Sequence, residues 1–410
     1  PELRAAFNEN LPRITEFYTR QGADERLYAK YKAIAASSAA ATLSAPRQQA
    51  LSHWLRDFVL SGAELQGEAK VRFAQIQERL AELSQAFSEH VLDATDSFSY
   101  LATSDELAGV PADVQAATRA AAEAAGESGH KLTLHMPVYL PVMQYAENRA
   151  LRERLYTAYV TRACEAGPPE RDNTPVMAEI LRLKQEEAAL LGYPSYADVS
   201  LVAKMAESPK QVTDFLRDLA ARARPYAAKD LAELREFAAK ELGLSELQSW
   251  DVSFASEKLK EARYAFSDQE VKQYFTEPKV LAGLFRIIET LFEVAIRPDS
   301  APVWHESVRF YRIERGGELI GQFYLDPYAR PGKRPGAWMD DVKGRWLRPD
   351  TGALQTPVAH LVCNFSAPVG GRPALLTHDE VQTLFHEFGH GLHHMLTQVS
   401  DLGVSGISGV

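Results

Sequence analysis

Two histidines stand four residues apart near the end of the chain, with a glutamate directly after the first: His386-Glu387-Phe388-Gly389-His390. On a helix, residues four apart lie one above the other with Cβ atoms roughly 5 to 6 Å apart, so two imidazoles can grip a single cation. The glutamate between them projects alongside and can reach a water on that cation. The chemistry this trio suits is metal-assisted hydrolysis, with His386 and His390 as ligands of one zinc ion (Zn2+) and Glu387 as the base. Five of the eleven histidines fall between His378 and His394, which strengthens the motif. The bland alternative is a solvated, histidine-rich helix face. His393 and His394 are assigned to such a face, while His360 and His378 receive no role.

The residues around the motif specify the helix it needs. Thr377 and Glu380 form a Thr-x-x-Glu capping box, which satisfies backbone donors at a helix start. Val381, Leu384, Phe385, Phe388, Leu392, Met395 and Leu396 recur at steps of three and four and define one face to be buried. His386, Glu387, His390, His393 and His394 fall on the opposite side of the wheel, where they would face a cleft.

Upstream of that helix the texture is extended. Residues 308–313 and 318–324 are rich in β-branched and aromatic side chains and are separated by Arg315-Gly316-Gly317, which predicts a β-hairpin. A Pro/Gly/Arg-rich loop over 326–336 follows, then a strand over 358–365. Before roughly Pro298 the pattern is helical. Phe73, Ile76, Leu80, Leu83 and Phe87 make one apolar seam between charged residues such as Arg72, Glu78, Arg79 and Glu82. Ser208-Pro209 starts a helix that runs to about Gly243, and Gly192 with Pro194 closes another after Leu191. An extended piece over 131–135 precedes a helix carrying Tyr145, Leu155, Tyr156 and Tyr159. The expected architecture is mainly α with a small β-sheet: a helical region over 1–300, a β-rich subdomain lining a cleft over 301–366, and the start of a metal-binding helical region over 367–410.

Composition excludes several function classes. The 410 residues are 46% hydrophobic and 24% charged with a formal net charge of −10, a balance that folds and offers no dedicated surface for nucleic acid. No run of about 18 apolar residues exists to span a membrane, and no signal-peptide pattern opens the chain, so a cytoplasmic location is expected. Cys164 and Cys363 lack CxxC spacing and are read as buried free thiols. There is no G-x-S-x-G elbow and no phosphate-binding glycine loop. Glu186-Glu187 and Asp340-Asp341 are read as solvated pairs.

The tract Pro373-Ala-Leu-Leu-Thr-His-Asp-Glu-Val-Gln-Thr-Leu-Phe-His-Glu-Phe-Gly-His-Gly-Leu-His-His-Met395 resembles the thimet oligopeptidase family of zinc metallopeptidases. Asp326-Pro-Tyr-Ala-Arg-Pro-Gly-Lys-Arg-Pro-Gly-Ala-Trp338, Val362-Cys-Asn-Phe365 and residues 138–163, with their Asn148-Arg-Ala-Leu-Arg-Glu-Arg154 run, agree as well, and the resemblance covers the whole chain. It implies a two-lobed helical zincin-type peptidase with a deep channel, a monomer that cleaves short peptides. By position it makes His386 and His390 zinc ligands and Glu387 the group that polarises the attacking water. It also makes Gly336, Ala337 and Trp338 a strand edge beside the bound peptide, for which plain packing is the alternative. The family takes its third zinc ligand from a glutamate some two dozen residues after the second histidine, whereas twenty residues follow His390 and Asp401 is the sole carboxylate among them. The chain is therefore expected to be a fragment truncated at both ends, with the third ligand beyond Val410. The competing expectation is a noncatalytic helical peptide-binding scaffold.

Overall fold

A computed structural model describes residues 2–409, and the chain divides into two compact units, each built from two separated stretches. The first unit takes residues up to 94 and 161–231. Its main helix, Gly67–Asp96, buries Ile76, Leu80 and Leu83 against Leu183 of the helix Thr174–Leu190, with Val176, Ile180 and Leu190 around them. Arg72 clamps Glu186 at 2.6 and 2.9 Å and Arg79 clamps Glu179 at 2.8 and 2.9 Å, so two guanidinium forks flank the apolar seam. Phe87, expected on that seam, is 36% exposed and lies outside this cluster. Tyr28, Phe58 and Ala63 form a smaller core. The helix predicted at Ser208-Pro209 runs Pro209–Glu241, its first turn capped by Ser208 Oγ, which accepts from Gln211 N at 3.1 Å.

The second unit takes residues 95–160 and those from 232 onward. An antiparallel pair of short strands, Tyr100–Ala102 and His130–Leu132, packs over Leu107, Leu151 and Leu155. The single helix expected after residue 135 is two, Met136–Tyr145 and Arg149–Val160. The break has a local cause: Asn148 Oδ1 accepts from Leu151 N at 3.0 Å and starts a new helix. The buried Arg152 then reaches back to the Ala146 carbonyl at 2.6 Å and across to the buried Asp251 at 2.8 Å.

The site rests on a five-stranded mixed sheet in this unit. Its strands are β1 (Ala295–Pro298), β2 (Arg309–Arg315), β3 (Glu318–Tyr328), β4 (Trp338–Lys343) and β5 (Val358–Phe365), in the order β1-β2-β3-β5-β4, with only β3 and β5 parallel. The β2–β3 hairpin turns at Gly316 and Gly317, both with positive φ (+58° and +87°), the backbone that a two-residue turn of the favoured twist demands. β1 has no counterpart in the sequence reading, and β4 only the strand edge that the resemblance implies at Gly336, Ala337 and Trp338. One face of the sheet carries Tyr311, Ile313, Phe323, Leu325, Ala359, Leu361 and Cys363. Against it pack Val280, Leu281, Leu284 and Ile288 of the helix Glu277–Phe292, and Leu384, Phe388 and Met395 of the helix His378–Met395. Cys363 is fully buried as expected; Cys164 is only half-buried and donates to the Thr161 carbonyl.

Candidate active site

The metal-motif helix spans His378–Met395 and starts as its sequence dictates. Thr377 Oγ1 accepts from Glu380 N at 3.1 Å, and Glu380 Oε2 accepts from Thr377 N at 2.7 Å. Burial pushes the Glu380 carboxyl above its usual range despite the Thr377 amide bond.

His386 and His390 are both exposed, on the side of the helix away from Leu384 and Phe388. Their Nε2 atoms are 3.2 Å apart, with ring centroids 4.8 Å apart and planes at 86°. A tetrahedral zinc held about 2.0–2.1 Å from each nitrogen would set them about 3.3 Å apart, so the pair fits one shared ion. Among the described residues no group of three or more His, Cys, Asp or Glu side chains gathers to hold a metal, so the structure brings two ligands together and no third. Asp401 heads the short turn Leu402–Val404 and is not part of the set.

Glu387 departs from the wheel expectation. Instead of standing fully open it is 8% exposed, while no hydrogen-bond donor engages its carboxylate among the described residues. It lies near the buried Cys363 of β5, whose thiol is pushed up to about 12 by burial first, with Glu387 among the anions adding to the effect. A carboxylate that is mostly buried and free of a competing partner is available to a water held beside it.

The wheel also misplaces Phe385, expected in the core and 37% exposed, and His394, expected on the polar face and 0% exposed. For His394 the cause is that the helix is covered on more than one side. β5 lies under its apolar stripe, and β4 and the segment after Met395 close over the turn that carries His394. His393 is exposed, as expected.

Gly336, Ala337 and Trp338 lead into β4, the sheet's edge strand, whose far side has no strand paired to it among the described residues. Trp338 pairs with Val362, Ala337 packs on the core, and Arg334 lies over the Trp338 ring at 5.6 Å. The preceding loop is fastened by residues that sequence reasoning passed over. Lys333 Nζ donates to the carbonyls of Asp326 at 3.0 Å, Tyr328 at 2.8 Å and Cys363 at 2.5 Å, and to Asp326 Oδ1 at 2.9 Å. Arg330 grips the same carboxylate at 2.7 and 2.8 Å, and Trp304 Nε1 donates at 3.0 Å. Burial would raise the Asp326 carboxyl, but these donors outweigh it and lower it to about 2. The signal was present in the Asp-x-x-x-Arg-x-x-Lys spacing, but nothing in one sequence says that the loop folds back on its own strand.

A histidine-glutamate-histidine helix laid on a mixed sheet, in a mainly helical chain, defines the zincin class. The chain belongs to peptidase family M3: the model of that family matches residues 142–409, and the neurolysin/thimet oligopeptidase N-terminal domain matches residues 1–70. It is 50% identical over 415 residues to oligopeptidase A of Salmonella typhimurium, covering all of this chain and 61% of that protein. It is 49% identical over 414 residues to oligopeptidase A of Haemophilus influenzae, again all of this chain and 61% of the relative. The organellar oligopeptidase A, chloroplastic/mitochondrial, of Arabidopsis thaliana is 42% identical over 430 residues, covering 100% of this chain and 53% of its own. The chain thus spans 53% to 61% of the length of these curated relatives.

Proposed function

We propose that the full protein is a zinc-dependent oligopeptidase that hydrolyses internal peptide bonds of short peptides. The observation that carries this is the pair of Nε2 atoms 3.2 Å apart with an unengaged Glu387 between them on the same helix. The names of the three relatives above, each an oligopeptidase A, support it and leave the noncatalytic scaffold without favour.

Zinc, when bound, supplies a Lewis acid that lowers the pKa of water towards 7 and polarises a carbonyl. His386 and His390 hold it through Nε2, and a third donor beyond the two histidines completes the ligand set. Glu387 takes the proton of the attacking water and returns it to the leaving amine. The free edge of β4, entered through Gly336, Ala337 and Trp338, is the place for a peptide backbone to add as a further strand, which aligns it with the helix that carries the ligands. The protein acts as a monomer in the cytoplasm; among the described residues no helix is long and apolar enough to cross a membrane.

The test is Glu387→Gln in the full-length protein. Cleavage of a quenched fluorescent peptide should fall by at least about 100-fold while one zinc per chain is retained. Undiminished turnover in that variant would sink the mechanism.

A further inference from the structure

His394 is fully buried, yet it is not an apolar space-filler. Its Nε2 lies 2.9 Å from the carbonyl oxygen of Lys343, the last residue of β4. A carbonyl can only accept, so Nε2 carries the hydrogen and donates. The other nitrogen, Nδ1, has no partner among the described residues, which leaves the ring devoted to that one bond. Gly406 closes the pocket behind it at φ +58°; a Cβ there would lie 2.6 Å from Nδ1 and 3.0 Å from His394 Cα, so only glycine lets the chain approach this closely. His394 stands one helical turn beyond His390, about 6 Å along the axis.

The opposite end of β4 is held in a similar way. Asn364 of β5 donates through Nδ2 to the carbonyls of Gly336 at 2.7 Å and Arg334 at 2.9 Å. Between the two anchors the inner edge of β4 pairs with β5 from Val362 to Val358. An exposed edge strand held only by its ladder frays readily; one tied at both ends by side chains is ordered before anything pairs with it.

We infer that His394 is a positioning residue: it locks the end of β4 to the helix that carries His386 and His390, so that a peptide backbone pairs with a strand already in place. The inference rests on the proposed addition of substrate along β4, and its test separates the two. In the full-length protein, His394→Leu fills the same space without a donor, and His394→Gln returns an amide donor near the position of Nε2. Zinc content, kcat and KM for a quenched peptide, and hydrogen exchange of the amides of 338–343 are measured on each. His394→Leu should keep its zinc, exchange the β4 amides at least about tenfold faster and raise KM about tenfold with kcat within about twofold; His394→Gln should recover most of both. Unchanged exchange in His394→Leu overturns the lock. Faster exchange with unchanged KM overturns its role in substrate binding, and lost zinc overturns the proposal by showing that His394 serves the metal-motif helix instead. Should the unmodified protein cleave no peptide, the proposed function fails, while the exchange comparison still decides the lock. If His394→Leu does not fold, Asn364→Leu at the half-buried far end replaces it, with the same faster exchange and raised KM expected and unchanged values overturning the proposal.

Discussion

At the scale of single residues, charge placement decides more than count. Asp326 is 2% exposed, and its carboxyl is lowered from 3.8 to about 2 by Arg330, Lys333 and Trp304. A carboxyl whose folded pKa lies below its unfolded value contributes stability above about pH 3.8 and loses it as pH falls towards 2. The shift corresponds to about 2 kcal/mol. Asp326→Asn should therefore flatten the acid limb of stability between pH 4 and 2, read from urea midpoints. Asp326→Ala at pH 7 should cost about 3–5 kcal/mol, because it strands the buried Lys333. The pairing of His386 and His390 was legible, because a four-residue spacing on a helix brings their Nε2 atoms to 3.2 Å; the burial of Glu387 was not. Asp326, Lys333 and His394 were not, since each owes its role to a backbone carbonyl or a carboxylate that only the folded loop brings near.

At the scale of elements, the metal-motif helix depends on its start. Thr377→Ala removes the acceptor for Glu380 N, while the backbone amide at 377 still donates to Glu380 Oε2. A loss of about 1 kcal/mol in unfolding free energy is expected, with zinc affinity within a few-fold, because His386 lies two turns inside the helix. Elements with local signals were readable: the capping box, the Gly316-Gly317 turn and the apolar run of β5. Apart from the edge that the resemblance implies at Trp338, β4 carries no strand pattern of its own, because Trp338-Met-Asp-Asp-Val-Lys343 shows no clean alternation and carries three charges. Those charges suit an edge strand, since they discourage pairing with stray chains. The break at Asn148 was missed for another reason, a capping residue hidden within a helical period.

At the scale of the molecule, all the proposed chemistry lies in the second unit, whereas Ile76, Leu80 and Leu83 build the first. Ile76→Ala should cost about 2–5 kcal/mol yet leave zinc affinity and KM within about twofold when assayed well below the melting transition. Phe388→Ala, emptying the space between Phe285 and Phe323 under the metal-motif helix, should cost about 3–5 kcal/mol and weaken zinc binding as well. Calorimetry and metal titration on the two variants would separate them. The threading of the first unit, whose two stretches are interrupted by residues 95–160, also sets a schedule for biosynthesis. Leu83 leaves the ribosome one hundred residues ahead of its partner Leu183. At about 5–20 residues per second the greasy stripe of that nascent helix waits roughly 5 to 20 seconds for its mate. In that interval a trigger-type holdase has a natural client, and slowing translation over 95–160 should increase aggregation of newly made chains.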